Sequence, residues 1–320
     1  MTRVAAVDCG TNSIRLLVAD VDPDAGTLRD LHREMRVVRL GEGVDRTGRL
    51  APEALRRTLD ATGDYARLVH DLGAERVRFV ATSASRDAEN REEFVAGVRE
   101  RLGVEPEVVT GVEEAALSFA GATREAAGAG LAGPYLVADI GGGSTEVVRG
   151  EDDVQRSRSV DVGCVRLTER HLAGDPPTRE QPAAARADVE AALDAVEEQV
   201  PMTGVGTLVG LAGSVLTVAC TALRLPAYDA TRTHLSRLPV DQVLAACDQA
   251  IAMPRAERAA LPFMHPGRVD VIGAGALIWR SLVERVADRS GTTEVVASEH
   301  DILDGIAFGL AAGAGAMPRS

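Results

Sequence analysis

The strongest constraint on this chain is a motif written twice. Near the N-terminus, "VAAVDCGTNSIRLLVADVD" carries an aliphatic run into Asp8, crosses a small polar turn and leaves on a second aliphatic run. Later, "LVADIGGGSTEVVRG" repeats the layout with Asp139 in the place of Asp8. In register, Gly10 matches Gly141, Ser13 matches Ser144, and Leu16 and Leu17 match Val147 and Val148. Each copy predicts an antiparallel hairpin, because the turn residues tolerate the backbone angles that tight turns need. A repeated hairpin implies a repeated domain.

The surrounding pattern agrees. "TLRDLHREMRVVRLG" adds a third strand to the first hairpin, and "DVQRSRSVDVG" adds one to the second. After the first meander, "APEALRRTLDATGDYARLVHDLG" shows a helical period through Leu55, Leu59, Tyr65 or Ala66, Leu68 or Val69, and Leu72, with Pro52 in the first turn and Gly73 at the end. The order then alternates: strand "RVRFVAT", helix "REEFVAGVRERLG", strand "EPEVVT", helix "VEEAALSFAGATREAAG". A glycine-rich run, 128–134, precedes the second copy. There, helices are expected at "CVRLTERHLAG", "TREQPAAARADVEAALDAVEEQV", "SVLTVACTALR", "PVDQVLAACDQAIA" and "RVDVIGAGALIWRSLVERVADRSG". Strands are expected at "TLVGLAG" and "TEVVASE", and "DILDGIAFGLAAGAGA" reads as a closing apolar helix with a small-residue face. This is a duplicated α/β layout, and a ligand cleft between the halves is the default expectation.

Composition narrows the chemistry. The net charge is −13, which disfavours a bulk nucleic-acid binder. All 35 basic residues are arginine, which excludes a P-loop and any lysine Schiff base. No apolar run approaches the ~18 residues of a membrane span, and the N-terminus lacks a secretory signal pattern, so a cytoplasmic protein is expected. Cys9, Cys164, Cys220 and Cys247 share no metal-ligand spacing and read as buried thiols.

The paired turns suit phosphate. Gly10, Thr11, Asn12 and Ser13 form one turn; Gly141, Gly142, Gly143 and Ser144, leading into Thr145, form the other. Successive backbone N–H groups in such turns make a concave anion site without lysine. The copies differ at one position: Arg15 in the first stands where Glu146 stands in the second. Asp139 and Glu146 are therefore a carboxylate pair beside a phosphate site, the arrangement that suits Mg²⁺. Asp8 is a further candidate at the metal, through water.

Six segments, "DCGTNSIRLLV", "ATSASRDA", "TGVEEAALSF", "DIGGGSTEVV", "GLAGSVLTVA" and "DVIGAGALI", occur in order over most of the chain. Together they resemble the exopolyphosphatase/guanosine-pentaphosphate phosphohydrolase (Ppx/GppA) family of the actin/sugar-kinase/Hsp70 superfamily. The resemblance implies two ribonuclease-H-like (actin-like ATPase) domains with an interdomain cleft, the first spanning 1–127 with a returning helix at 301–320, the second 128–300. It implies removal of a terminal phosphate with Mg²⁺ (or Mn²⁺), and a homodimer. It assigns Glu114 as the general base, with its neighbour Glu113 as the alternative, and Arg86 as the clamp on the terminal phosphate. Gly213, Ser214 and Arg268 become contacts to the rest of the phosphate chain. Inorganic polyphosphate is the favoured substrate, because aromatic residues are only 3% of the chain and no platform for a guanine base is evident. Short chains are expected, since the sequence carries none of the extra C-terminal helical domains of long family members. Guanosine pentaphosphate is the near alternative; a sugar-kinase-like phosphotransferase and a non-catalytic polyphosphate or alarmone binder are the others.

Overall fold

The computed structural model describes residues 1–313. The chain forms two compact units. It leaves the first after Arg124, returns to it after Asp301, and spends Glu125–Asp301 in the second. The part of the expected returning segment beyond residue 313 lies outside the described residues.

The first unit is built on five strands: β1 (Thr2–Cys9), β2 (Ser13–Asp22), β3 (Thr27–Val37), β4 (Arg76–Ala81) and β5 (Glu107–Val108), in the order β3-β2-β1-β4-β5. β1, β2 and β3 are the antiparallel meander, while β4 and β5 run parallel to β1. The middles of β1 and β2, Val4 to Val7 and Leu16 to Ala19, are apolar without alternation because both faces of the sheet are covered. Ala5, Val7, Ile14 and Leu16 pack with Leu59 and Tyr65 of the helix Pro52–Asp71 and with Phe94 of the helix Arg91–Leu102. Val4, Ala6, Leu17 and Ala19 pack with Ile302, Leu303 and Ile306 of the helix Ile302–Ala311. By the two-residue period of a strand, Asp8 and Arg15 lie on this second face.

That closing helix also fixes the helix Gly111–Thr123. A Cβ on Gly305 would sit 2.1 Å from the Leu117 carbonyl oxygen, so only glycine allows the approach. The small-residue face expected of the closing helix thus has a specific use. It holds in place the helix whose first turn carries Glu113 and Glu114.

The second unit repeats the plan with six strands: β6 (Tyr135–Ile140), β7 (Thr145–Gly150), β8 (Val154–Val160), β9 (Thr207–Leu211), β10 (Ser236–Pro239) and β11 (Glu294–Ala297). Their order is β10-β11-β9-β6-β7-β8. The meander β6-β7-β8 matches β1-β2-β3, and β9 and β11 are the parallel strands. The helices Glu180–Glu197 and Ile272–Ser290 supply much of its core, with Trp279 only 1% exposed. Pro182 falls in the first turn of its helix, where no intrahelical N–H is required.

Several boundaries differ from the sequence reading. "EPEVVT" yields only the two-residue β5, and the helix expected to reach the glycine-rich run stops at Thr123. Arg268 lies in a short 3-10 turn, Pro266–Arg268, ahead of the helix that begins at Ile272. The edge strand β10 and the helix Arg255–Ala260 were not anticipated, being too short to show a period.

Candidate active site

In open sheets with parallel strands, ligands bind beyond the carboxyl ends of those strands. Sequence-predicted site residues occupy those positions in each unit, Arg268 excepted. Asp8 is next to last in β1, Arg86 follows β4, and Glu113 and Glu114 follow β5. Asp139 is next to last in β6, and Gly213 and Ser214 follow β9.

In the first unit, β1 and β2 pair so that Asp8 lies opposite Arg15. Arg15 donates to one carboxylate oxygen of Asp8 from both Nε (3.0 Å) and Nη2 (2.8 Å). Asp8 is 5% exposed, so its charge is met where water is scarce. The turn between the strands is closed by the Gly10 N–H donating to the Ser13 carbonyl. Its carbonyls are occupied: that of Asn12 accepts from the amides of Val38 and Arg39, and that of Thr11 from Gly41. Among the described residues no acceptor takes the N–H groups of Thr11 and Asn12. The Thr11 and Ser83 hydroxyls are 2.8 Å apart, joining this turn to the segment that carries Arg86.

Arg86 and Glu114 come together. Arg86 Nη1 donates to Glu114 Oε2 at 3.1 Å and to the Val109 carbonyl at 3.0 Å. Glu114 is 8% exposed. Its neighbour is engaged differently. The Glu113 carboxylate accepts from the Thr110 N–H (2.8 Å) and hydroxyl (2.9 Å), while the Glu113 N–H donates back to that hydroxyl. This capping box starts the helix and leaves Glu113 facing solvent.

In the second unit the equivalent cross-strand pair is Asp139 opposite Glu146. Both are buried, at 9% and 1% exposed, and the next strand places Ser159 opposite Glu146, donating to Oε1 at 2.7 Å. The first unit neutralises its aspartate with an arginine, whereas the second puts a carboxylate in that place. Cross-strand partners share a face. This oxygen-only donor set fits a hard divalent cation such as Mg²⁺. The Gly141 N–H donates to the Ser144 carbonyl, as in the first turn. The carbonyls of Gly141 and Gly142 accept from Cys164, Val165 and Arg166, and Arg166 Nε holds that of Gly143 at 2.8 Å. Among the described residues the N–H groups of Gly142 and Gly143 have no acceptor. Thr145 is spent on the Val162 carbonyl (2.6 Å). Gly163 is required: a Cβ there would lie 2.4 Å from the Gly142 oxygen.

After β9 the chain turns at Ala212 with φ +67°, a strained angle for a residue with a side chain. Gly213 follows, and the Arg268 guanidinium lies where its Cβ would be, 2.1 Å away. Ser214 sits against Gly275 and Cys164. The structure thus joins Gly213 with Arg268, and Glu114 with Arg86. It also shows partners that the sequence reading left out: Arg15 on Asp8 and Ser159 on Glu146. The turn register alone pairs residues 8 and 15, so the first of these was within reach of the sequence. All four cysteines are buried free thiols. Burial pushes Cys164 and Cys220 up to about 11, and raises Cys9 and Cys247 as well.

Comparison with known proteins adds to this geometry. The model of the Ppx/GppA phosphatase family matches residues 17–308. Exopolyphosphatase 2 of Mycobacterium tuberculosis is 52% identical over 318 residues, 97% of this chain and 99% of its own length. The guanosine-5'-triphosphate,3'-diphosphate pyrophosphatase of Aeromonas salmonicida is 32% identical over 307 residues, 96% of this chain but 59% of that longer protein. The crystal structure of an exopolyphosphatase-like protein superposes with a TM-score of 0.93 at 44% identity, covering 97% of each chain.

Proposed function

Because this chain belongs to the Ppx/GppA phosphatase family, we propose that it is an exopolyphosphatase, releasing terminal orthophosphate from inorganic polyphosphate. The observation that carries the reading is the Arg86–Glu114 pair, a permanently charged guanidinium beside a buried carboxylate beyond the ends of parallel strands. The full-length similarity to a protein named as an exopolyphosphatase supports it.

In this reading the turn amides of Thr11, Asn12, Gly142 and Gly143 receive phosphate oxygens, and Arg86 clamps the terminal phosphoryl group. Glu114 orients a water molecule in line with the terminal anhydride and accepts its proton. The new P–O bond forms as the anhydride P–O bond breaks, and the shortened chain leaves with the electron pair. Such catalysis consists mostly of positioning and charge stabilisation. Asp139 and Glu146 are the residues that would hold Mg²⁺, whose charge offsets that of the phosphate oxygens. Asp8, already paired with Arg15, supports its turn and would act on the ion through water. Gly213, Ser214 and Arg268 contact phosphates further along the chain. The reading also takes the enzyme to be a cytoplasmic homodimer, which light scattering checks for its assembly.

The test is phosphate release from polyphosphates of defined length and from guanosine pentaphosphate, with and without Mg²⁺. Metal-dependent release that favours polyphosphate supports the proposal. Preferential conversion of the pentaphosphate to tetraphosphate replaces it with the guanosine reading. Transfer to a sugar acceptor, or tight binding with no release, overturns it.

A further inference from the structure

Outside the residues discussed so far, one group of side chains among the described residues has the composition of a metal site. Glu125, His234 and His300 come from three distant stretches of the second unit, and their candidate ligand atoms lie within 4.8 Å of one another. His234 Nε2 is 3.1 Å and His300 Nδ1 is 3.7 Å from the same oxygen, Glu125 Oε2. The two imidazoles are stacked with a tilt, ring centroids 4.3 Å apart. A four-coordinate zinc ion with bonds of about 2.0–2.1 Å holds its ligand atoms about 3.3 Å apart. The observed separations bracket that distance. All three side chains are partly exposed, so an ion can reach them.

We propose that Glu125, His234 and His300 bind a divalent transition-metal ion of the zinc type, with one coordination position left to water. Two imidazoles and one carboxylate select such ions over Mg²⁺, which prefers oxygen ligands in octahedral geometry. This site is therefore different in kind from the all-carboxylate pair Asp139 and Glu146. The location gives it a structural consequence. Glu125 begins the second unit and His300 lies one residue before its end, so the ion ties together the two stretches where the chain enters and leaves that unit.

The ion-free hydrogen bonds say what binding must rearrange. The Glu299 N–H donates to His234 Nδ1 at 3.2 Å. In the neutral ring the proton is then on Nε2, from which it is donated to Glu125 at 3.1 Å. Metal binding at Nε2 moves that proton to Nδ1, or to solvent if the ring was charged. The Nε2 hydrogen bond to Glu125 gives way to bonds from both groups to the ion, and the long hydrogen bond from the Glu299 amide is given up with it. His300 requires no such exchange, since its ring makes no hydrogen bond within 3.5 Å among the described residues.

The experiment is equilibrium dialysis of the untagged full chain against Zn²⁺ in excess Mg²⁺. Visible absorption of the Co²⁺-substituted protein and the Glu299 amide resonance are followed alongside. One Zn²⁺ per chain is expected, with a four-coordinate Co²⁺ spectrum and a shifted Glu299 amide. His300→Ala should weaken binding at least about tenfold, and His234→Ala likewise, with circular dichroism confirming that each variant is folded. His300→Ala keeps the test intact if His234→Ala fails to fold. Zinc binding that His300→Ala leaves unchanged, or a wild type that takes up no Zn²⁺ in excess Mg²⁺, overturns the proposal.

Discussion

Glu113 and Glu114 are adjacent in sequence and opposite in circumstance. Glu113 closes a capping box with Thr110, while Glu114 is buried against Arg86. Sequence alone leaves two neighbouring carboxylates equivalent; the capping box distinguishes them, because a carboxylate that holds the first turn has a structural task. Glu113→Ala should therefore cost about 1 kcal/mol of stability and leave kcat within a factor of two or so, read by urea denaturation and steady-state kinetics. A large fall in kcat would return Glu113 to the mechanism. A second residue-scale prediction concerns pH. Hydrogen bonds from Arg3 and Arg29 hold the Asp20 carboxyl well below its ordinary value, to about 2. A carboxyl with a depressed folded-state pKa stabilises the fold while ionised, and that stabilisation is lost on protonation. Wild type should exceed Asp20→Asn in urea midpoint at neutral pH. The gap should close as the pH falls from about 4 through about 2. A gap that is constant with pH would contradict it.

At the scale of elements, the hairpin turns expose N–H groups because something else occupies their carbonyls. In the first unit the chain after β3 does so, through Val38, Arg39 and Gly41. In the second the start of the helix Cys164–His171 does so, through Cys164, Val165 and Arg166. The matching glycines and serines of the two turns were legible in the sequence; the segments that hold them in place were not, because they lie beyond the third strand and share no motif. Gly163 is the sensitive point, since its Cβ would strike backbone and not a movable side chain. Its φ of −142° is open to any residue, so contact alone decides the outcome. Gly163→Ala should cost about 1–3 kcal/mol and raise the KM for polyphosphate, measured by denaturation and kinetics. Unchanged values for both would remove the turn from phosphate binding. The edge strand β10 and the Glu125–His234–His300 group were hidden for a related reason. Short strands show no period, and residues far apart in the chain meet only through the fold.

Over the whole molecule, duplication made the architecture readable and divergence between the copies made the chemistry readable. The apolar hairpins predicted two sheets with a common meander, and the strand orders β3-β2-β1-β4-β5 and β10-β11-β9-β6-β7-β8 show it. The exchange of Arg15 for Glu146 gives one unit a neutral pair and the other a dicarboxylate. If Asp139 and Glu146 hold the ion, Glu146→Gln should raise the Mg²⁺ concentration for half-maximal rate at least about tenfold. An unaltered Mg²⁺ titration would place the ion elsewhere. The central claim, that Glu114 positions the attacking water, is tested most directly by phosphate release from polyphosphate with Glu114→Gln, with binding measured on the same preparation. Near-normal binding is expected, with turnover lowered by about 10²–10³. Turnover equal to wild type would contradict it.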